Sequence, residues 1–286
     1  MRSNVPAFQL VAPKTLDLAL QMISSEPGVW KPFAGGTDLM VLFEAGKLTH
    51  ERFVSIWQLD ELRGIEVDDE YVRIGALTTY AEIRADEIMQ KEFPMLCQAA
   101  AETGGLAIQN RGTLGGNIVN GSPAADSPPA LLVYEAELEL ISTKSVRLVP
   151  YTGFHLGYKK MDLREDELVQ VIRIPRAISG WRQQYRKVGT RKAQAISKVC
   201  FAAAALMDGD TIKDVRFAMG SVAPMVVRCS HAEAALRGGP VSTATIKDAK
   251  AALSTDITPI DDIRSTFRYR QVVAENLLED FLESLF

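Results

Sequence analysis

The feature that most constrains this chain is the run Arg111-Gly112-Thr113-Leu114-Gly115-Gly116-Asn117-Ile118-Val119-Asn120-Gly121-Ser122-Pro123-Ala124-Ala125-Asp126. It holds four glycines, two asparagines, a serine and a threonine. Glycine lets backbone N–H groups approach a ligand that a Cβ would block. Short polar side chains add hydrogen bonds, and successive amides in such turns form anion-binding concavities. Asp126, followed by Pro128-Pro129 and the apolar run Ala130-Leu131-Leu132-Val133, reads as the N-terminus of a helix. A second glycine turn, Phe33-Ala34-Gly35-Gly36-Thr37-Asp38-Leu39, carries the same chemistry. Two such loops suggest two walls around one phosphate-bearing ligand, although a glycine pair also serves as plain turn punctuation. Neither loop has the spacing G-x-x-x-x-G-K-[ST] or the G-x-G-x-x-G of a dinucleotide fold, which argues against both of those folds.

The chain has 286 residues, 47% of them hydrophobic and 24% charged, with a formal net charge of −4. That length allows two domains. No basic patch points to nucleic acid, and no run of about 18 apolar residues suits a membrane span. The N-terminal Met1-Arg2-Ser3-Asn4-Val5-Pro6 lacks an apolar signal core, so the expected location is the cytoplasm. Cys97, Cys200 and Cys229 are isolated, which fits neither a disulfide framework nor a four-thiolate iron–sulfur cluster. His50, His155 and His231 are as scattered, so no metal site is expected. Redox chemistry in such a chain calls for an organic cofactor.

Along the chain, an extended piece at 8–13 precedes a helix capped by Thr15, with Leu16, Leu18, Ala19, Met22 and Ile23 on its apolar side. Residues 30–34 read as a strand delivering the first glycine loop, and 39–43 as a short helix ending near Gly46. This strand–turn–helix order aims amides at a ligand. A strand follows at 53–56, then a hairpin of 65–67 and 71–74 across Asp68-Asp69-Glu70. A helix starts after Leu77 with Thr78 or Thr79 as cap, and 95–103 is helical. Residues 137–141 and 167–175 alternate as strands. A boundary falls near 177–180. Beyond it 184–188, 199–207 and 213–219 form an antiparallel meander, the last two joined at Asp208-Gly209-Asp210. Helices at about 229–237, 243–253 and 267–285 complete the chain.

Ala34-Gly35-Gly36-Thr37-Asp38-Leu39, together with Thr113-Leu114-Gly115-Gly116-Asn117 through Ser122-Pro123-Ala124-x-Asp126, resembles the two flavin-binding signatures of the FAD-binding medium subunit of molybdenum hydroxylases, the xanthine dehydrogenase and carbon monoxide dehydrogenase family. The resemblance covers nearly the whole chain. It implies an α+β protein: a para-cresol methylhydroxylase-type (vanillyl-alcohol oxidase-like) FAD-binding domain of two α/β subdomains over 1–178, and a small C-terminal domain of antiparallel sheet and helices over 179–286.

The resemblance further implies that Pro32, Phe33, Ala34, Gly35, Gly36, Thr37, Asp38 and Leu39 line the FAD pyrophosphate. Thr113, Leu114, Gly115, Gly116 and Asn117 would form the opposite wall, and Asp126 would meet the adenosine side, unless it is a simple helix cap. Val169 would touch the cofactor, though it reads equally as strand core. In the segment 185–193, Lys187 matches a lysine approaching the flavin, where a cation stabilises an anionic reduced ring. Ile108 would stand near the isoalloxazine. One departure is Gln109-Asn110 where the family commonly has arginine–asparagine; it puts flavin tuning or subunit contacts there in doubt.

The implied activity is that of an electron-transfer flavoprotein subunit with no acid–base catalytic residues of its own. Its partners would be a [2Fe-2S] small subunit and a molybdopterin large subunit, and its acceptor NAD or another oxidant. A stand-alone flavin oxidoreductase of the same fold, with its own small substrate, is the competing expectation. A non-catalytic binding module is the third. The segment after Tyr185 looks closest to the xanthine dehydrogenase branch, and the substrate of the whole enzyme is not encoded here.

Overall fold

Three sheets, each backed by helices, organise the computed structural model, which describes residues 7–178, 180–192 and 194–285. The expectations that touch residues 1–6, Ser179, Ala193 and Phe286 lie outside the described residues. The first sheet is parallel, in the order β1 (Gln9–Val11), β3 (Arg52–Ser55), β2 (Trp30–Phe33). Helix α1 (Leu16–Ser25) connects β1 to β2, and the short α2 (Leu39–Glu44) connects β2 to β3. Thr15 caps α1, its hydroxyl accepting from the Leu18 amide at 3.3 Å. Leu16, Ala19, Leu20 and Ile23 pack with Val54 and Ile56 as a small core under this sheet. Leu18, assigned to the apolar side from spacing, is instead half exposed.

The second sheet is antiparallel, in the order β4 (Ile65–Val67), β5 (Tyr71–Gly75), β10 (Leu168–Pro175), β6 (Glu137–Ile141), β7 (Val146–Pro150). Six helices lie between β5 and β6: α3 (Tyr80–Ala85), α4 (Glu87–Glu92), α5 (Pro94–Glu102), α6 (Leu106–Gln109), α7 (Leu114–Asn120) and α8 (Pro128–Val133). A small hairpin of β8 (His155–Gly157) and β9 (Lys160–Met161) precedes β10. Thr79 rather than Thr78 starts α3, in a reciprocal cap with Glu82; such a cap contributes about 1 kcal/mol. Leu77 and Thr78 remain outside that helix.

The third sheet holds β11 (Arg182–Val188), β12 (Val199–Asp208), β13 (Thr211–Gly220) and β14 (Val227–Arg228), all antiparallel. Helices α9 (Ser230–Leu236), α10 (Thr243–Asp256) and α11 (Phe267–Glu283) cover one face. Strand β12 is buried on both faces, which is why 199–205 reads as an unbroken apolar run rather than an alternating one. Val199, Phe201, Ala203 and Ala205 enter the core under α9–α11. Cys200, Ala202 and Ala204 enter the large central core with Ile172, Leu131 and Tyr134. The small alanines let α8 lie directly on β12 and β13. Arg216 and Arg228 then donate to the Val133 and Leu132 carbonyls at 3.2 and 3.1 Å, closing the C-terminus of α8. The third sheet and the second thus share one core.

Because Ala202 is fully buried between these layers, Ala202→Leu overpacks the junction. It should cost about 1–3 kcal/mol, read as a lower urea midpoint; an unchanged midpoint would contradict the shared core.

Candidate cofactor-binding site

Two segments far apart in sequence meet at the C-terminal end of β2. The Cα of Gly35 lies against the backbone of Arg111 so closely that a Cβ there would stand 1.7 Å from the Arg111 carbonyl oxygen. Arg111 Nε donates back to the Gly35 carbonyl at 3.4 Å, and Asn120 Nδ2 donates to Asp38 Oδ1 at 3.3 Å. Gly36 follows with φ +75°, a left-handed conformation that lets 34–38 turn into α2. An open groove of about 310 Å³ results, lined by Gly35, Gly36, Thr37, Met40, Val41, Glu44, Ala107, Ile108 and Arg111.

The two walls are built differently. The amides of Gly35, Gly36, Thr37 and Asp38 donate to no other described residue. Adjacent unsatisfied donors at the start of a helix are the arrangement that holds a phosphate oxyanion. Residues 113–117, expected as the opposite wall, are not among the lining residues, where Ala107, Ile108 and Arg111 face the first glycine turn; they follow behind Arg111 with their donors spent. The middle of the run expected as a glycine loop is helix α7, capped by the Thr113 hydroxyl and closed by Gly121 at φ +60°. The Leu114 amide donates to Thr78 O (3.0 Å), Gly115 to Ala76 O (2.9 Å), Gly116 to Thr113 Oγ1 (3.1 Å) and Asn117 to Thr113 O (3.0 Å). A Cβ on Gly115 would stand 2.6 Å from the Ala76 Cβ, so this glycine serves packing against the second sheet. Thr113, Leu114 and Gly115 are buried; Gly116 and Asn117 are partly open. The first turn thus keeps free donors, while the run expected as the opposite wall offers none at 114–117 and acts as a shaping wall behind Arg111, meeting the first turn through Asn120 and Asp38.

Three further expectations change. Asp126 does not cap α8, whose N-cap is Ser127 with no side-chain bond. The Asp126 carboxylate instead accepts from Lys187 Nζ at 2.7 Å, and Lys187 also donates to the Glu102 carbonyl at 2.8 Å. The two side chains expected at different parts of the cofactor thus meet at one place in the fold. Val169 is buried in the central core beside the break in register between β10 and β6, where packing against protein accounts for it. Gln109 is only 4% exposed and turned inward, accepting from Arg84 and donating to the Ala101 carbonyl. Its departure from the usual arginine therefore falls away from the groove, with Arg84 bringing a cation to the same place.

Arg111, Met40, Val41 and Asn120 were missed as site residues. Arg111 carries the one signal in sequence, as the residue that opens the glycine run. Its guanidinium also stacks 3.9 Å from the Trp57 ring, which Arg63 approaches at 4.4 Å.

The Asp126–Lys187 pair joins β11 to the segment that leads from α7 into α8. Tyr185 donates its hydroxyl to the Asp126 carbonyl at 3.2 Å, and the buried Cys200 thiol donates to Tyr185 Oη at 3.2 Å. Burial holds the Cys200 thiol protonated, far above the usual range. Burial pushes the Asp126 carboxyl up to about 6 against the opposing pull of Lys187, and its Oδ1 is enclosed without a hydrogen-bond partner. A carboxyl that titrates near 6 folded and near 3.8 unfolded binds its proton more tightly when folded. Its contribution to stability therefore falls as pH rises from about 4 to 6. Urea titrations of the flavin-free chain across that range should show this slope, and Asp126→Asn should remove it; parallel curves would contradict the assignment. Gly35→Ala must push apart the two segments, costing about 1–3 kcal/mol, or ~5- to 150-fold in FAD affinity by titration. Wild-type affinity would exclude the close approach.

Residues 6–177 match the family model described as FAD binding domain in molybdopterin dehydrogenase, and 184–285 the CO dehydrogenase flavoprotein C-terminal domain. The chain is 34% identical to the xanthine dehydrogenase FAD-binding subunit of Escherichia coli O157:H7, over 90% of this chain and 88% of that one. It is 28% identical to the carbon monoxide dehydrogenase medium chain of Hydrogenophaga pseudoflava, over 98% and 97%. The solved structure of carbon monoxide dehydrogenase from the same organism superposes with a TM-score of 0.92 at 29% identity, over 96% of each chain. The donor wall, the groove and these matches agree: the chain belongs to the FAD-binding medium subunits of xanthine dehydrogenase and carbon monoxide dehydrogenase-type molybdenum hydroxylases, and is an FAD-binding oxidoreductase subunit.

Proposed function

We propose that this chain is the electron relay of a three-chain molybdenum hydroxylase. A [2Fe-2S] small subunit would deliver electrons, a molybdopterin large subunit would hydroxylate the substrate, and NAD or another oxidant would take the electrons away. Bound FAD supplies the chemistry, accepting electrons singly and releasing them in pairs. The chain's own residues hold and shield it. On this reading the free amides of 35–38 and the Thr37 hydroxyl bind the pyrophosphate, α7 is a rigid support behind Arg111, and Met40, Val41, Ala107 and Ile108 exclude water along the groove.

The observation that carries this reading is the character of the groove lining. Apart from Thr37, Glu44 and Arg111 it is apolar side chain and backbone. Such a lining positions a cofactor but offers no paired acid and base for a small substrate, which speaks against a stand-alone oxidoreductase. The buried Lys187, beside Asp126, is the cation we assign to the flavin end of the site. We also take the domains to divide at 178/179. Three unpaired cysteines suit a reducing compartment, and no helix among the described residues is long and apolar enough to cross a membrane; we place the complex in the cytoplasm.

The flavin of the isolated chain, once photoreduced without oxygen, should be reoxidised by NAD⁺ or an artificial acceptor. Purines, aldehydes and alcohols should leave its oxidised spectrum unchanged until the partner chains are added. Bleaching of the isolated chain by one of these compounds would overturn the relay in favour of a self-sufficient enzyme.

A further inference from the structure

The loop between α10 and α11 holds large apolar side chains in water by deliberate construction. Ile263 is fully exposed and Ile260 is 65% exposed. The loop is nonetheless tightly built. Asp262 Oδ1 accepts from the Arg264 and Ser265 amides at 2.8 and 3.0 Å and from Arg270 Nη2 at 2.8 Å. Asp261 Oδ1 accepts from the Phe267 amide at 2.6 Å. Arg270 is 4% exposed and anchors the whole turn, donating to the Lys198 and Ser221 carbonyls at 3.1 and 2.6 Å. A loop with this many fixed bonds cannot fold its isoleucines inward. The first turns of α11 add exposed Phe267, Tyr269 and Val272, and Ile196 is exposed near by. Apolar groups gathered in this way mark interaction surfaces.

Charge and position indicate what covers the face. Lys198 lies 5.1 Å over the Tyr269 ring, and Arg264, Arg268 and Arg270 belong to the same segment. With Arg270 buried against Asp262, the cations left at the surface of this segment are Lys198, Arg264 and Arg268, against the carboxylates Asp261 and Asp262. The complementary surface is apolar with an acidic rim. The face also runs towards the cofactor groove. From Ile196 the chain leads back to Gln194, whose Nε2 stands 2.5 Å from where a Cβ of Gly105 would be. Gly105 is the N-cap of α6, which carries Ile108 into the groove and leaves Leu106 72% exposed outside it.

We propose that the face formed by Ile196, Ile260, Ile263, Phe267, Tyr269 and Val272 docks the chain that delivers electrons to the flavin, through an apolar socket with an acidic rim. This inference rests on the relay reading above. Ile263→Glu combined with Ile260→Glu places two carboxylates on the face without touching the core or the groove. The tagged chain is co-expressed with its neighbouring subunit chains and purified, and iron per FAD is measured. The wild type should carry iron, and the double variant should lose at least tenfold of it. FAD per polypeptide and the melting temperature should not change. Iron retained at the wild-type ratio would overturn the docking face while leaving the relay intact. A variant that keeps its iron but loses self-association of the isolated chain would assign the face to a second copy and overturn it too. A wild type that carries no iron would remove the relay reading itself, and this inference with it.

Discussion

The site depends on one contact, the approach of the Gly35 Cα to the Arg111 carbonyl. No other residue type fits between the two backbones. Once the segments touch, everything else follows from where each chain must go next. Gly36 turns the chain through a left-handed conformation, and 35–38 are left at the head of α2 with their amides unspent. Arg111 leads through Gly112 into α7, whose amides are consumed by Thr78, Ala76 and Thr113. The asymmetry is physically sensible. A phosphate needs donors that have no other partner, and it needs them held by something that does not move. The donor wall is a short turn, and the shaping wall is a capped helix welded to the second sheet.

The second domain contributes more than cover. Its central strand is buried on both faces, and from its neighbour β11 Lys187 reaches Asp126 at the head of α8. Both charges are nearly enclosed, with 5% and 10% of their side chains exposed. Burying such a pair brings little net stability, and removing one partner is costly. The carboxyl titrating near 6 also ties the charge balance of this junction to pH within the physiological range.

Much of the fold was legible before the coordinates because its signals are local. Caps at Thr15 and Thr79, the hairpin at 68–70, the 208–210 turn and the amphipathic α11 all announce themselves within a few residues. The polar glycine run was legible as a ligand segment from its residue types. Its helix was not, since glycine and asparagine are poor helix formers. The signal was still present: Thr113 as N-cap and Gly121 as the left-handed closing residue bracket α7. The Lys187–Asp126 pair spans 61 residues, and no periodicity encodes such a meeting. The inward turn of Gln109 likewise follows from tertiary packing alone.

Amide hydrogen exchange at single-residue resolution, with and without FAD, tests the two-wall account most directly. The amides of Gly35, Gly36, Thr37 and Asp38 should exchange rapidly in the flavin-free chain and become protected on loading. Those of Leu114, Gly115 and Asn117 should already be protected without FAD and change little. Protection gained at 114–117 with none at 35–38 would contradict the assignment of donor wall and shaping wall.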